Sequence, residues 1–259
     1  MPFPNVQLSN RPLHFIYLCD CSGSMAAQGK IQALNQAIRQ SLPRMAEVAK
    51  ENPEARVLVR AIKFSDQASW HISEPTPVNQ LHWRDLEAGG ITALGEALEL
   101  LAATLQSPPM EERALPPVIV LISDGQPTDD FQTGLTKLMR QPWAQKAVRL
   151  AIALGHDADM DVLQQFIGPE PQDLDGHNRS AQRPLQASNA TTLAQYIQWA
   201  STAVVGAASM PSSHIVSRVN LSKEEAARQA DLVGNSNIPM PDLPPTLIGP
   251  NTDFGPLVW

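Results

Sequence analysis

The stretch LHFIYLCDCSGSM, residues 13–25, decides how the rest of the chain is read. Leu13 to Cys19 is an unbroken, mostly apolar run. It is closed at once by Asp20-Cys21-Ser22-Gly23-Ser24. A short apolar run with polar, turn-forming residues directly behind it is expected to be a buried strand feeding a tight loop.

Downstream, Ile31, Leu34, Ala37, Ile38, Leu42, Met45 and Val48 recur at helical spacing, which predicts a helix over Lys30 to Lys50. Pro43 is expected to kink or restart it. Val57 to Phe64 reads as a second strand, with a hairpin partner at Ala68 to Ile72. Gly89-Gly90-Ile91-Thr92 precedes a predicted helix, Ala93 to Leu105. Thr92 stands where an N-cap belongs, with Glu96 extending the cap. Val118 to Ser123 (VIVLIS) is a buried strand, followed by the loop Asp124 to Asp130 and a helix over Phe131 to Met139. Val148 to Leu154 is a further strand, Asp159 to Phe166 a short helix and Leu193 to Val205 a longer one.

Strands alternate with helices, so the class is α/β: a doubly wound, mainly parallel sheet with one antiparallel edge strand and helices on both faces. The composition shifts near residue 210, so residues 1–209 are read as one domain. Residues 210–259 are read as a short helix, Lys223 to Leu232, boxed by Ser222 and Glu225, and a Pro-rich tail suited to docking.

The chain has 259 residues, 43% hydrophobic and 17% charged, as expected of a soluble globular protein. A net charge of −7 without a Lys/Arg run argues against a nucleic-acid partner. The opening MPFPNVQLSNRP has no basic region followed by an apolar stretch, and the run Ala203 to Ala208 is too short to span a bilayer. A cytoplasmic protein without a membrane segment is expected. Cys19 and Cys21 flank Asp20, two positions apart, a poor geometry for a disulfide. They are expected to be a core residue and a loop neighbour.

Three short motifs stand at strand ends or helix starts: Asp20-Cys-Ser22-Gly-Ser24, Gly90-Ile91-Thr92 and Ser123-Asp124-Gly125. In an open doubly wound sheet, ligands bind beyond the carboxyl ends of the strands at the switch point. If the first strand and VIVLIS are neighbours there, Asp20 and Asp124 meet, with the hydroxyls of Ser22, Ser24 and Thr92 nearby. Oxygen donors without imidazole or thiolate select Mg²⁺, with Mn²⁺ or Ca²⁺ as alternatives. Such a set leaves a coordination position that an acidic side chain of a partner can fill. Each residue alone has an ordinary structural reading: Asp20 as a loop cap, Asp124-Gly125 as a turn, Thr92 as a helix cap. Asp129 and Asp130 fit helix N-terminal charges. Asp157, Asp159 and Asp161 lack the Gly and distal Glu of an EF-hand, and fit capping of the next helix.

DCSGSM at 20–25, GGITALG at 89–95 and LISDGQPTDD at 121–130 together resemble the metal-ion-dependent adhesion site of von Willebrand factor A domains. The last motif is similar to the bacterial tellurite-resistance-associated (TerY/YegL-like) branch. The resemblance spans about residues 13 to 205. It implies direct ligation by Ser22, Ser24 and Thr92, with Asp20 and Asp124 acting largely through water. It also implies an adaptor in a stress-response or defence system, with a Ser/Thr kinase or a PP2C-type phosphatase as partner. The alternative within the same class is an adaptor of an AAA+ chaperone or chelatase.

A catalytic role is not expected. An aspartyl phosphatase would carry a second carboxylate two residues after Asp20, where this chain has Ser22. There is no G-x-S-x-G elbow and no Walker A loop. A metal-dependent phosphatase remains the enzymatic alternative.

Overall fold

The computed structural model describes residues 10–52, 55–124, 126–168 and 183–209. The expected helix Lys223 to Leu232 and the Pro-rich tail lie outside the described residues. In chain order the elements are β1 (Arg11–Asp20), α1 (Lys30–Glu51), β2 (Ala55–Phe64), β3 (Ala68–Pro77), α2 (Leu94–Thr104), β4 (Val118–Ser123), α3 (Phe131–Met139), α4 (Pro142–Lys146), β5 (Val148–Leu154), α5 (Met160–Ile167), β6 (Leu185–Ala187), α6 (Ala190–Trp199) and α7 (Val205–Ser209). A π-helical turn, Ala200–Val204, joins the last two helices.

The strands form one six-stranded sheet in the order β3-β2-β1-β4-β5-β6. β1 runs parallel to both β2 and β4, while β3 pairs antiparallel with β2 and lies at the edge. The edge strand is longer than the hairpin partner expected from sequence, running on through Pro75 to Pro77. Prolines are tolerated there because an edge strand needs only one row of ladder bonds.

Alternation along β1 sorts its side chains to two cores. Leu13, Phe15, Tyr17 and Cys19 face α1 and α6, whereas Ile16 and Leu18 face α2, α3, α4 and α5. β1 and β4 are buried along nearly their whole length because helices cover both faces. Cys19 and Cys21 are both buried free thiols, and burial pushes both up, Cys21 to about 12.

Of the two outcomes expected at Pro43, a kink or a restart, the helix does not restart: α1 is one 22-residue helix with Pro43 inside. Ile38, Ser41, Leu42 and Met45 are buried on either side of the proline, so packing on the sheet holds both turns in place. The Ser41 hydroxyl donates to the Ile38 carbonyl, 2.9 Å, in the same stretch. Two elements have no counterpart in the sequence reading, the three-residue β6 and the five-residue α4. Both are too short for a periodicity to register.

Candidate metal centre

β1 and β4 are neighbours, and the chain leaves them toward opposite edges of the sheet, through α1 to β2 and through α3 and α4 to β5. That makes the space beyond their carboxyl ends the switch point. Asp20 ends β1, and Asp124 directly follows Ser123 at the end of β4.

The cluster is built around Asp20, which is fully buried. The Ser22 backbone N–H donates to its Oδ1 at 2.8 Å, and the Ser123 hydroxyl donates to its Oδ2 at 2.6 Å. Burial pushes the Asp20 carboxyl above its usual range. The Ser123 and Ser22 hydrogen bonds pull it back, and the nearby Asp124 charge pushes it up again. Both Asp20 oxygens are therefore engaged in bracing the loop.

From Ser22 the contacts run outward. Ser22 Oγ and Ser24 Oγ lie 2.9 Å apart, and Ser24 donates to Asp124 Oδ1 at 2.7 Å. A serine has one hydroxyl proton, so with Ser24 donating to the carboxylate, Ser22 must be the donor to Ser24. The second oxygen of Asp124 accepts from Lys30 Nζ at 2.8 Å. Ser22 and Asp124 are buried, while Ser24 is exposed at the mouth.

Thr92 reaches the site by a different route. Gly23 N–H donates to the Gly90 carbonyl, 2.9 Å, and Gly89 N–H to the Cys21 carbonyl, 2.8 Å, which laces residues 89–92 to the first loop. Gly90 has φ +81, and a Cβ there would run into the Asp66 carboxylate, so glycine is required. Thr92 itself is buried. Among the described residues no hydrogen bond joins its hydroxyl to Asp20, Ser22, Ser24 or Asp124. Its backbone is clamped instead by Thr128, whose hydroxyl accepts from Thr92 N–H at 3.1 Å and whose N–H donates to the Thr92 carbonyl at 2.9 Å.

The expected capping role of Thr92 does not hold. Ala93 is the N-cap of α2, and the free N–H groups of Gly95 and Glu96 donate to the two oxygens of Asp129, both at 2.8 Å. Glu96 does not extend the cap, since its Oε2 accepts from Ala68 N–H at 2.9 Å. Asp130 caps α3 through Thr133 N–H, and Asp159 caps α5 through Asp161 and Val162 N–H, as the sequence suggested.

The arrangement gathers Asp20, Ser22, Ser24 and Asp124 and lays the Thr92 segment beside them. The donors are hard oxygens at the end of a sheet, and Ser24 already sits within hydrogen-bond distance of both Ser22 and Asp124. Such a set fits a hard divalent cation that displaces those bonds. Among the described residues no group of three or more His, Cys, Asp and Glu side chains could hold a metal.

Sequence reasoning missed Lys30 and Asp66, and it gave no role to Ser123 and Thr128, which stand inside the quoted motifs. Lys30 had a signal: it falls on the same helical stripe as the buried Leu34, Ala37, Ile38 and Ser41. Asp66 accepts from Ile91 N–H at 3.0 Å and carried no motif.

Residues 15–126 match the family model of the von Willebrand factor type A domain. The chain is similar in fold to a von Willebrand factor type A protein from Catenulispora acidiphila (TM-score 0.50, 16% identity, covering 76% of this chain and 43% of that one). It is similar also to the pilus adhesin SpaC from Lactobacillus rhamnosus GG in its open conformation (TM-score 0.55, 11%, 75% and 30%). A third is proximal thread matrix protein 1 from the mussel byssus, with a zinc-occupied MIDAS motif (TM-score 0.50, 16%, 77% and 47%). The chain spans less than half the length of each of these. No curated protein matches the sequence.

Proposed function

We propose that Asp20, Ser22, Ser24, Thr92 and Asp124 hold a divalent cation, with Mg²⁺ as the resident ion and Mn²⁺ or Ca²⁺ as substitutes. On this reading the chain is a non-catalytic module that grips an acidic side chain of a partner protein. The observation that carries it is the run of oxygens from Ser22 through Ser24 to Asp124 beyond β1 and β4. The zinc-occupied MIDAS motif of the mussel byssal protein supports it from outside.

The chain's own groups divide the work. Asp20 holds the Ser22 backbone and the Ser123 hydroxyl, which keeps the loop closed under the hydroxyls. Ser24 is the exposed member of the set, while Asp20, Ser22, Thr92 and Asp124 are buried. The bound ion would supply a positive centre for the partner's carboxylate. Ser22 stands where a phosphatase of the aspartyl class needs an acid, and it is committed to Ser24. That favours binding over turnover.

The TerY-like resemblance extends the proposal to a cytoplasmic bacterial stress-response or defence system, with a Ser/Thr kinase or PP2C-type phosphatase as partner. Among the described residues no helix is long and apolar enough to cross a membrane. Manganese titration followed by electron paramagnetic resonance tests the site. Ser24→Ala and Asp124→Ala are expected to weaken Mn²⁺ binding about tenfold or more, the scale of one lost hard-oxygen contact. Equal binding in wild type and both variants would remove the site.

A further inference from the structure

We propose that Lys30 is a built-in counter-cation of this site, one that weakens metal binding in the free protein and makes the metal-loaded site select an anion. The inference rests on the metal reading above and adds a residue that the metal-site motif does not contain.

Lys30 is the first residue of α1 and only 5% exposed. Its Nζ lies 2.8 Å from Asp124 Oδ2 and 4.0 Å from Asp157 Oδ1 on the loop after β5. Asp124 is as buried as Lys30, whereas Asp157 is 78% exposed, so Asp124 is the partner that compensates the ammonium. The side chain has little room to leave. A Cβ on Gly155 would stand 3.3 Å from Nζ, which places the ammonium against the β5 loop. Gly29, with φ 73, turns the chain so that Lys30 starts the helix facing the site.

The consequence is one of charge. Asp20 and Asp124 bring two negative charges and Lys30 one positive, leaving a net charge of minus one around the hydroxyls. A divalent ion would raise the site to plus one, and an anionic ligand from a partner would restore balance. Without Lys30 the same two carboxylates would already neutralise the ion, and a neutral ligand such as water would complete it equally well. Lys30 therefore opposes the metal until an acidic partner arrives, so that metal and partner bind together.

The test uses the full chain with Mn²⁺ as metal and acetate as the carboxylate probe, comparing wild type with Lys30→Met. The variant is expected to bind Mn²⁺ about tenfold more tightly, because a like charge close by has been removed. Acetate should tighten Mn²⁺ binding in wild type and have little effect in the variant. Lys30→Gln repeats the comparison if methionine disturbs folding, and Lys30→Arg, which keeps the charge, should keep the acetate effect. If Lys30→Met and Lys30→Gln bind Mn²⁺ no more tightly than wild type, or keep the acetate effect, the role of Lys30 is overturned while the metal site stands. If neither wild type nor any variant binds Mn²⁺, both readings fall.

Discussion

At the scale of single residues, the polar groups that matter most are those set into apolar surfaces. Asn35 lies on the buried stripe of α1, four residues after Ile31. Its Oδ1 accepts from Trp83 Nε1 at 3.0 Å and from Leu86 N–H at 2.8 Å, and its Nδ2 donates to the Leu86 carbonyl at 2.9 Å. One side chain thus ties the segment leading to Gly89 and Thr92 onto α1. Asn35→Ala strands two donors and an acceptor in the interior, and a loss of about 2–4 kcal/mol is expected from the unmet hydrogen bonds. Urea denaturation of the variant measures it, and a loss below about 1 kcal/mol would mean that water replaces the amide. A polar residue inside an apolar stripe was visible in the sequence. Its partners, some 50 positions away, were not.

At the scale of elements, the ends of helices are settled by loops from elsewhere. Helix α2 starts without a cap of its own and borrows Asp129 from the loop after β4. Asp129→Ala is expected to cost about 1–2 kcal/mol, as for a lost N-cap, and Asp129→Asn much less. Thermal melts of the two variants side by side provide the check. The same loop is wedged tightly against α2. A Cβ on Gly95 would come within 2.5 Å of the Asp130 carbonyl oxygen, and one on Gly134 would collide with the Gly95 carbonyl. Gly134→Ala must push α3 off α2, and a loss of about 1–3 kcal/mol is expected from overpacking, read as a lowered melting temperature. Asp129 resembled a charge for the helix that follows it because sequence proximity suggests local capping. The fold gives it to the helix that precedes it instead.

At the scale of the whole molecule, the candidate metal centre occupies one end of the central strand, and a buried histidine paired with an exposed glutamate lies toward the other. His14 on β1 is buried, and its Nε2 lies 2.9 Å from Glu111 Oε2. Its Nδ1 has no hydrogen-bond partner, which fits a neutral ring with its proton on Nε2. Burial pulls His14 below its ordinary 6.5, and the hydrogen bond and charge of Glu111 only partly offset this. Burial pushes Glu111 up, but its hydrogen bonds to His14 and to the backbone, with the Arg56 charge nearby, outweigh that and leave it below 4.5. Between the lowered His14 value and 6.5, the unfolded chain binds a proton that the fold refuses. Stability therefore rises with pH across that window and is lost as pH falls from 6.5. Below 4.5, Glu111 adds a second loss as it is protonated. Denaturation midpoints at a series of pH values should show the first decline, and His14→Leu should flatten it. An unchanged slope in the variant would assign the decline to other groups.

The local pattern of the chain was enough to determine the class of fold, the strands β1 and β4, and the loops that carry Asp20, Ser22, Ser24 and Asp124. Apolar runs and turn residues act over a few positions, and each strand is short enough to be written within such a window. What only the tertiary structure decided was contact between distant segments: that β1 lies beside β4, that Lys30 folds onto Asp124, that Asp66 and Thr128 hold the Thr92 segment, and that Asp129 caps α2. Those pairings depend on how the two cores close over the sheet. A hydrogen bond between residues dozens of positions apart is selected by that closure, not by any propensity of the residues that make it.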